Sequence, residues 1–327
     1  MKQVLITGAN GFVGRALLAT LMRSGYAVRA AVRSPAGRAM LPQTATVVII
    51  GNVDGGTDWN AALQGIDVIV HLAARVHVMQ ETAEDPWQAF RAVNVAGTEN
   101  LARQAAARGV KRFIYLSSIK VNGEGTASQY FTADQPVQPE GAYAVSKWEA
   151  ECLVQEIARE TGLETVIIRP PLIYGADVKG NFLRLIRLVD KAWPLPLAAV
   201  ANKRSMVNLD NLCHLIRCCL EHNKAAGQVF LVADEQDLSI AELIQMIAKF
   251  LHKPAPLFPF PLSLLRGFAG AAGKAAEMTR LCGSLQLDTV KTRKRLGWQP
   301  PYSVAAGVEK TIGHYLSQKA KVLRQSR

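Results

Sequence analysis

Tyr143 and Lys147 stand four residues apart in Tyr143-Ala144-Val145-Ser146-Lys147, where a stretch of helical periodicity begins. Positions i and i+4 share one helix face, so this spacing sets a phenol beside an ammonium. A neighbouring positive charge favours tyrosinate and suits Tyr143 to exchanging a proton with a substrate hydroxyl. A serine in Leu116-Ser117-Ser118, after an apolar run, could polarise the same oxygen. A second cluster, Thr7-Gly8-Ala9-Asn10-Gly11-Phe12-Val13-Gly14, lies between the first apolar run and the first helix. Gly8 permits a tight turn, Gly11 lets the backbone approach a pyrophosphate, and Gly14 lets the helix pack closely on the strand. The helix N-terminus then offers free N–H groups to an anion. The two clusters together predict a dinucleotide-binding protein in which Tyr143 exchanges a proton with its substrate.

The end of the second strand distinguishes NAD from NADP, because an acidic residue there holds the adenosine ribose and an arginine accommodates a 2′-phosphate. The run Val28-Arg29-Ala30-Ala31-Val32-Arg33-Ser34 contains no carboxylate. Arg33 therefore favours NADP, with NAD as the alternative.

Strands and helices alternate through the first half. Strands are expected at Gln3–Thr7, Tyr26–Val32, Val47–Ile50, Asp67–His71, Phe113–Ser117 and Thr165–Arg169. Helices are expected at Gly11–Ser24, Trp87–Arg108 and Tyr143–Glu160. This order predicts an α/β fold of the Rossmann type, a doubly wound parallel sheet whose apolar strands are buried on both faces. After Pro170 the pattern loosens, and helices resume at Asp210–Glu221, Ser239–Leu251 and Ser303–Leu316. Residues 1–170 are read as the dinucleotide-binding domain and 171–327 as a smaller, mostly helical substrate lobe. The boundary is expected to be discontinuous, with some later residues returned to the first domain.

The chain opens without a basic leader and has no run long and apolar enough for a membrane span, which predicts a cytoplasmic protein. The five cysteines form no CxxC pair, so reduced thiols and no metal site are expected. The net charge of +12 is concentrated late: residues 274–327 hold eleven basic and three acidic residues. No nucleic-acid motif accompanies that charge, so an anionic small substrate is the expected partner rather than nucleic acid.

With these motifs in place, the chain resembles the extended short-chain dehydrogenase/reductase family, in particular its nucleotide-sugar epimerases and reductases. The resemblance spans nearly the whole length. It rests on the TGANGFVG turn, on His71-Leu72-Ala73-Ala74, on Asn94-Val95-Ala96-Gly97-Thr98, on YAVSK and on Leu296-Gly297-Trp298-Gln299-Pro300. It implies that Asn52, Val53, Leu72, Ala73, Ala74, Asn94 and Pro170 join Gly8, Asn10, Gly11, Phe12, Val13, Gly14, Tyr143 and Lys147 around the dinucleotide. It implies a substrate side formed by Arg75, His77, Ser118, Asn181, Arg204 and Arg280, with the arginines clamping a diphosphate.

The sequence departs from the family pattern in three respects. The VYG after the catalytic serine is Val121-Asn122-Gly123 here, and the asparagine after the sixth strand is replaced in Arg169-Pro170-Pro171. Ile119 and Lys120 stand where a 4,6-dehydratase would carry Asp and Glu, so dehydration is set aside. The expected activity is reduction at C4 of a UDP-linked 2-acetamido-2,6-dideoxy-4-ketohexose for surface polysaccharide. The alternative is 4-epimerisation of UDP-glucose or UDP-N-acetylglucosamine, and the remote alternative is a catalytically silent dinucleotide-binding regulator. The resemblance also implies a homodimer through the helices Trp87–Arg108 and Tyr143–Glu160. The Pro-rich segment Pro254–Gly273 is expected to close over bound substrate, without stable membrane contact.

Overall fold

Short runs of Val, Ile and Leu bounded by Gly and Pro set the strands, and a computed structural model shows how they assemble. It describes residues 2–76 and 85–325. The strands are β1 Gln3–Thr7, β2 Ala27–Val32, β3 Thr46–Ile49, β4 Val68–His71, β5 Arg112–Leu116, β6 Glu164–Arg169, β7 Leu172–Tyr174, β8 Met206–Asn208 and β9 Gln228–Leu231. Seven form one sheet in the order β3-β2-β1-β4-β5-β6-β9, with every neighbouring pair parallel. Successive connections run outward in opposite directions from β1 and β4, which makes the gap between them the switch point where ligands bind in doubly wound sheets.

Side chains of β1 alternate between two cores, as a strand period of two requires. Val4 and Ile6 pack with Leu17, Leu21, Leu212 and Ile216 from the helices Phe12–Arg23 and Leu209–Glu221. Leu5 packs on the other face with Leu101, Ala105, Val154 and Ile157 from the helices Gly97–Ala107 and Gly141–Thr161. A third core belongs to the second half, where Phe182, Ile186, Leu243, Ile247, Val308 and Ile312 join three helices. β7 and β8 pair in a separate two-stranded sheet beside it.

The structure refines three sequence expectations. The helix expected at Trp87–Arg108 starts at Pro86, and its middle, Ala92–Ala96, is a π-helical stretch around buried Asn94. The helix expected at Ser303–Leu316 runs instead from Val304 to Gln325. The seventh strand of the main sheet, β9, comes from the second half of the chain.

Candidate active site

The glycine turn lies at the end of β1. Gly8 takes φ 65° in the left-handed region, and a Cβ there would meet the Ala73 backbone N at 2.8 Å. A Cβ on Gly14 would come within 2.3 Å of the Gly8 carbonyl oxygen. Gly11 closes the turn by donating its N–H to that same carbonyl, 2.9 Å away. Close backbone approach at all three points leaves a cradle that side chains would fill, which is what a dinucleotide pyrophosphate at a helix N-terminus needs. Asn10, Phe12 and Val13 lie in or beside this turn, and the backbone of Leu72 and Ala73 forms its opposite wall, with Ala74 next in the chain. Arg33 follows β2 directly and is exposed, and no acidic residue occurs between Val28 and Met40. The residues present therefore fit a dinucleotide. Asn52 and Val53 follow β3; Asn52 is exposed, and Val53 is buried against Gly97.

His71 is fully buried at the end of β4. The Thr7 hydroxyl accepts from the backbone N–H groups of Leu72 and Ala73, at 3.1 and 3.2 Å, and faces His71 Nδ1 at 2.7 Å. Thr98 donates to the Asn94 carbonyl and faces His71 Nε2 at 3.0 Å. Both hydroxyls are thereby oriented: Thr7 donates to Nδ1, and Nε2–H donates to Thr98. Burial, with help from Lys147, pushes this imidazole down to about 3, so it is neutral at working pH. Since the unfolded value is 6.5, its contribution to stability is complete above that pH and declines as pH falls towards 3. The histidine thus ties the glycine turn to the wall facing it.

Asn94 is buried beneath the loop after β4. Its amide oxygen accepts from Arg75 N at 2.8 Å, and its amide nitrogen donates to the Arg75 carbonyl and to Ser146 Oγ, each at 3.0 Å. The Arg75 guanidinium lies 5.5 Å from the Phe90 ring centroid, and Phe90 meets Tyr143 edge-on at 6.1 Å. Arg75 is therefore brought to the same corner as Tyr143. His77 lies outside the described residues.

Tyr143 and Lys147 sit on adjacent turns of Gly141–Thr161, as their spacing requires. Ser118, just beyond β5, hydrogen-bonds the Tyr143 phenol and holds its pKa down against the larger upward effect of burial. Lys147 Nζ donates to the Leu116 carbonyl at 2.7 Å and lies 4.2 Å from the Tyr115 ring centroid. Burial pushes this ammonium down to about 7, partly offset by Glu151. The sequence expectation that Lys147 depresses the phenol is thus not visible in the protein alone: the Tyr143 phenol stands above its ordinary value, because desolvation outweighs its neighbours. Pro170 is buried next to this corner and accepts from Ile119 N at 3.0 Å.

Glu151 lies one turn further along the face of Tyr143 and Lys147. It is completely buried, accepts from Arg169 Nη2 at 2.6 Å and from Arg169 Nε at 3.0 Å, and accepts the Ser117 hydroxyl. Arg169 also donates to Asn122 Oδ1 at 3.0 Å, while Asn122 donates to the Thr132 carbonyl at 2.9 Å. One departure from the family pattern, Asn122, is thus held by the arginine that ends β6. Sequence reasoning gave Glu151 and Arg169 no role, although an acid inside a mostly apolar helix face and an arginine ending a buried strand were both readable signals.

Across the mouth of the site, Arg204 donates to the carbonyls of Arg280 at 2.7 Å and Gly283 at 3.0 Å. Arg280 lies 3.8 Å from Glu124, which also pairs with Lys120 at 2.6 Å. Arg204 and Arg280 are therefore brought together, and Lys120 and Glu124 join them without having been singled out as ligands. Asn181 is exposed at the start of the helix Gly180–Asp190.

A dinucleotide cradle opening onto a Ser-Tyr-Lys corner defines a short-chain dehydrogenase-type oxidoreductase. The profile described as the NAD dependent epimerase/dehydratase family matches residues 4–233, and the chain belongs to that family. It is 43% identical over 318 residues, 96% of each chain, to UDP-glucose 4-epimerase of Vibrio cholerae. It is 28% identical, over 94% of each chain, to the N-acetyl-alpha-D-glucosaminyl-diphospho-ditrans,octacis-undecaprenol 4-epimerase of Escherichia coli O157:H7. The fold superposes on the UDP-glucuronic acid 4-epimerase of Bacillus cereus, solved with UDP-glucuronic acid and NAD, with a TM-score of 0.78. That match is 24% identical and covers 97% of this chain and 99% of the other.

Proposed function

We propose that the protein interconverts the C4 epimers of a UDP-linked hexose such as UDP-glucose or UDP-N-acetylglucosamine. The observation that carries this reading is the Ser118–Tyr143–Lys147 corner beside the glycine cradle. The full-length likeness to a UDP-glucose 4-epimerase supports it.

A bound nicotinamide supplies reversible hydride exchange at C4. Tyr143 takes the proton of the C4 hydroxyl as the C4–H bond breaks, leaving a ketone, and returns that proton to the oxygen when hydrogen is restored to the opposite face. Ser118 holds the same oxygen by hydrogen bonding. Lys147, protonated over part of the working range, stabilises the phenolate; Glu151 keeps its ammonium from falling further. Arg204 and Arg280 hold the diphosphate, with Asn181 and Arg75 bordering nucleotide and sugar.

The 4-ketoreductase remains the second reading, because Arg33 with no strand-end acid suits NADP and a reductase must exchange its cofactor each turnover. The test is incubation with UDP-glucose or UDP-N-acetylglucosamine without added reductant, followed by NMR of the sugar. Appearance of the 4-epimer supports the proposal. Inertness towards both sugars, together with stoichiometric NADPH oxidation on a UDP-4-keto-6-deoxy sugar, overturns it in favour of the reductase.

The proposal extends to domain roles, with residues 1–170 carrying the dinucleotide and most of 171–327 the sugar nucleotide. It also extends to a homodimer through the helices around Gly97–Ala107 and Gly141–Thr161; a monomeric mass by light scattering at micromolar concentration counts against that contact.

A further inference from the structure

The segment following the third core has a composition that its surroundings do not explain. The helix Leu262–Ala271 reads LSLLRGFAGA, yet only Ala269 in it is buried. Leu262 and Leu265 pack partly on the core of the second half. Leu264 and Phe268, one turn apart on the other side, are 53% and 66% exposed. Phe268 lies 6.5 Å from the Phe260 ring centroid, and Phe258 is 41% exposed. Together these residues form an apolar ridge turned to water, which soluble surfaces seldom carry unless something covers it. The preceding turn pairs through its backbone with the loop bearing exposed Trp193, whose ring lies 5.0 Å from Lys191 Nζ.

Charge identifies what covers the ridge. Between Glu242 and Glu277 the chain has no acidic residue, whereas Lys249, Lys253, Arg266 and Lys274 lie in that interval. Arg266 and Lys274 are exposed beside the ridge. Pairing with a second copy across a twofold axis would bring these cations towards their own duplicates, a repulsive arrangement for an isologous contact. An anionic lipid surface instead takes the Leu and Phe side chains into its acyl boundary and neutralises the basic residues, the pattern of an interfacial helix.

We propose that Leu262–Ala271 is a peripheral membrane contact that docks the enzyme on anionic lipid. Such a contact departs from the sequence expectation that the segment closes over substrate without stable membrane contact, and it gives the outer face of the helix to the bilayer. The next helix, Ala275–Cys282, carries Arg280 to the substrate mouth, so docking would hold that mouth close to the lipid surface.

The experiment is co-sedimentation of the full chain with vesicles of phosphatidylcholine alone or of phosphatidylcholine and phosphatidylglycerol at about 2:1. The wild type should pellet with the anionic vesicles at low salt and be released at high salt. The Leu264→Glu/Phe268→Glu variant should lose about tenfold in vesicle affinity while keeping its melting temperature and its turnover of a soluble UDP-sugar. Arg266→Ser/Lys274→Ser should weaken binding to the anionic vesicles only. Wild type remaining in the supernatant with both vesicles overturns the proposal. So does a variant that pellets as wild type, or one that shifts from dimer to monomer by light scattering while the wild type ignores lipid.

Discussion

The proposed cofactor side and the proposed substrate side of this enzyme are organised by different physics. At the glycine turn the distances are fixed by backbone against backbone, with Gly8, Gly11, Gly14 and the Ala73 wall in contact and His71 bonded on both ring nitrogens. At the mouth, long charged side chains hold one another: Lys120 and Arg280 share Glu124, and Arg204 leans on two carbonyls. The first region is rigid before any ligand arrives. The second is made of exchangeable contacts that, on the proposed reading, a diphosphate replaces, so one family can keep its cofactor chemistry and vary its substrate.

Substitutions can break this comparison. The largest effect should come from Tyr143→Phe, which removes the proposed proton carrier and leaves the cradle alone. Turnover should fall about 10²- to 10⁴-fold with dinucleotide affinity unchanged, read by steady-state kinetics and by titration of the cofactor. Glu151→Ala should cost about 3–5 kcal/mol in urea unfolding, since it strands buried Arg169 without its carboxylate. A Glu151→Leu/Arg169→Met double variant should recover much of that stability but not the neutral-pH activity, because the Lys147 ammonium loses the charge that supports it.

Gly14→Ala should destabilise by about 1–3 kcal/mol and abolish detectable dinucleotide binding, because its Cβ meets fixed backbone. Gly313→Ala is the control: it sits in the helix Val304–Gln325 with open space around it and should stabilise by about 0.5–1 kcal/mol. Arg280→Ala, on the exchangeable side, should raise KM about tenfold with little change in kcat or melting temperature. A large loss of stability there would erase the distinction between the two regions. The smallest effect is expected from Arg33→Asp, which should move the ratio of specificity constants towards NADH; an unchanged ratio removes Arg33 as the reader of a 2′-phosphate.

What could be read from the sequence follows the same division. The glycine turn, the alternation of strands and helices and the Tyr143/Lys147 spacing are local in the chain, so period and motif reveal them. The Glu151–Arg169–Asn122 network and the Lys120–Glu124–Arg280 cluster join residues up to 156 positions apart, and only the folded sheet brings them together. The π-helical stretch around Asn94 was equally hidden, because one extra residue per turn leaves no periodic trace over five positions. Exposure of Leu264 and Phe268 could not be read either, since an apolar helix looks alike whether it faces a core or the solvent.

The place of β9 has a consequence for synthesis. The main sheet is not closed on the β6 side until Gln228–Leu231 emerges, more than fifty residues after β6 has been made. During that interval β6, with Val166, Ile167 and Ile168, is an apolar edge with unpaired backbone groups. Such an edge can recruit a strand from another nascent chain. A fragment ending at Pro170 should therefore aggregate rather than fold as a free dinucleotide-binding unit, and chaperone demand during expression should fall once residue 231 has cleared the ribosome.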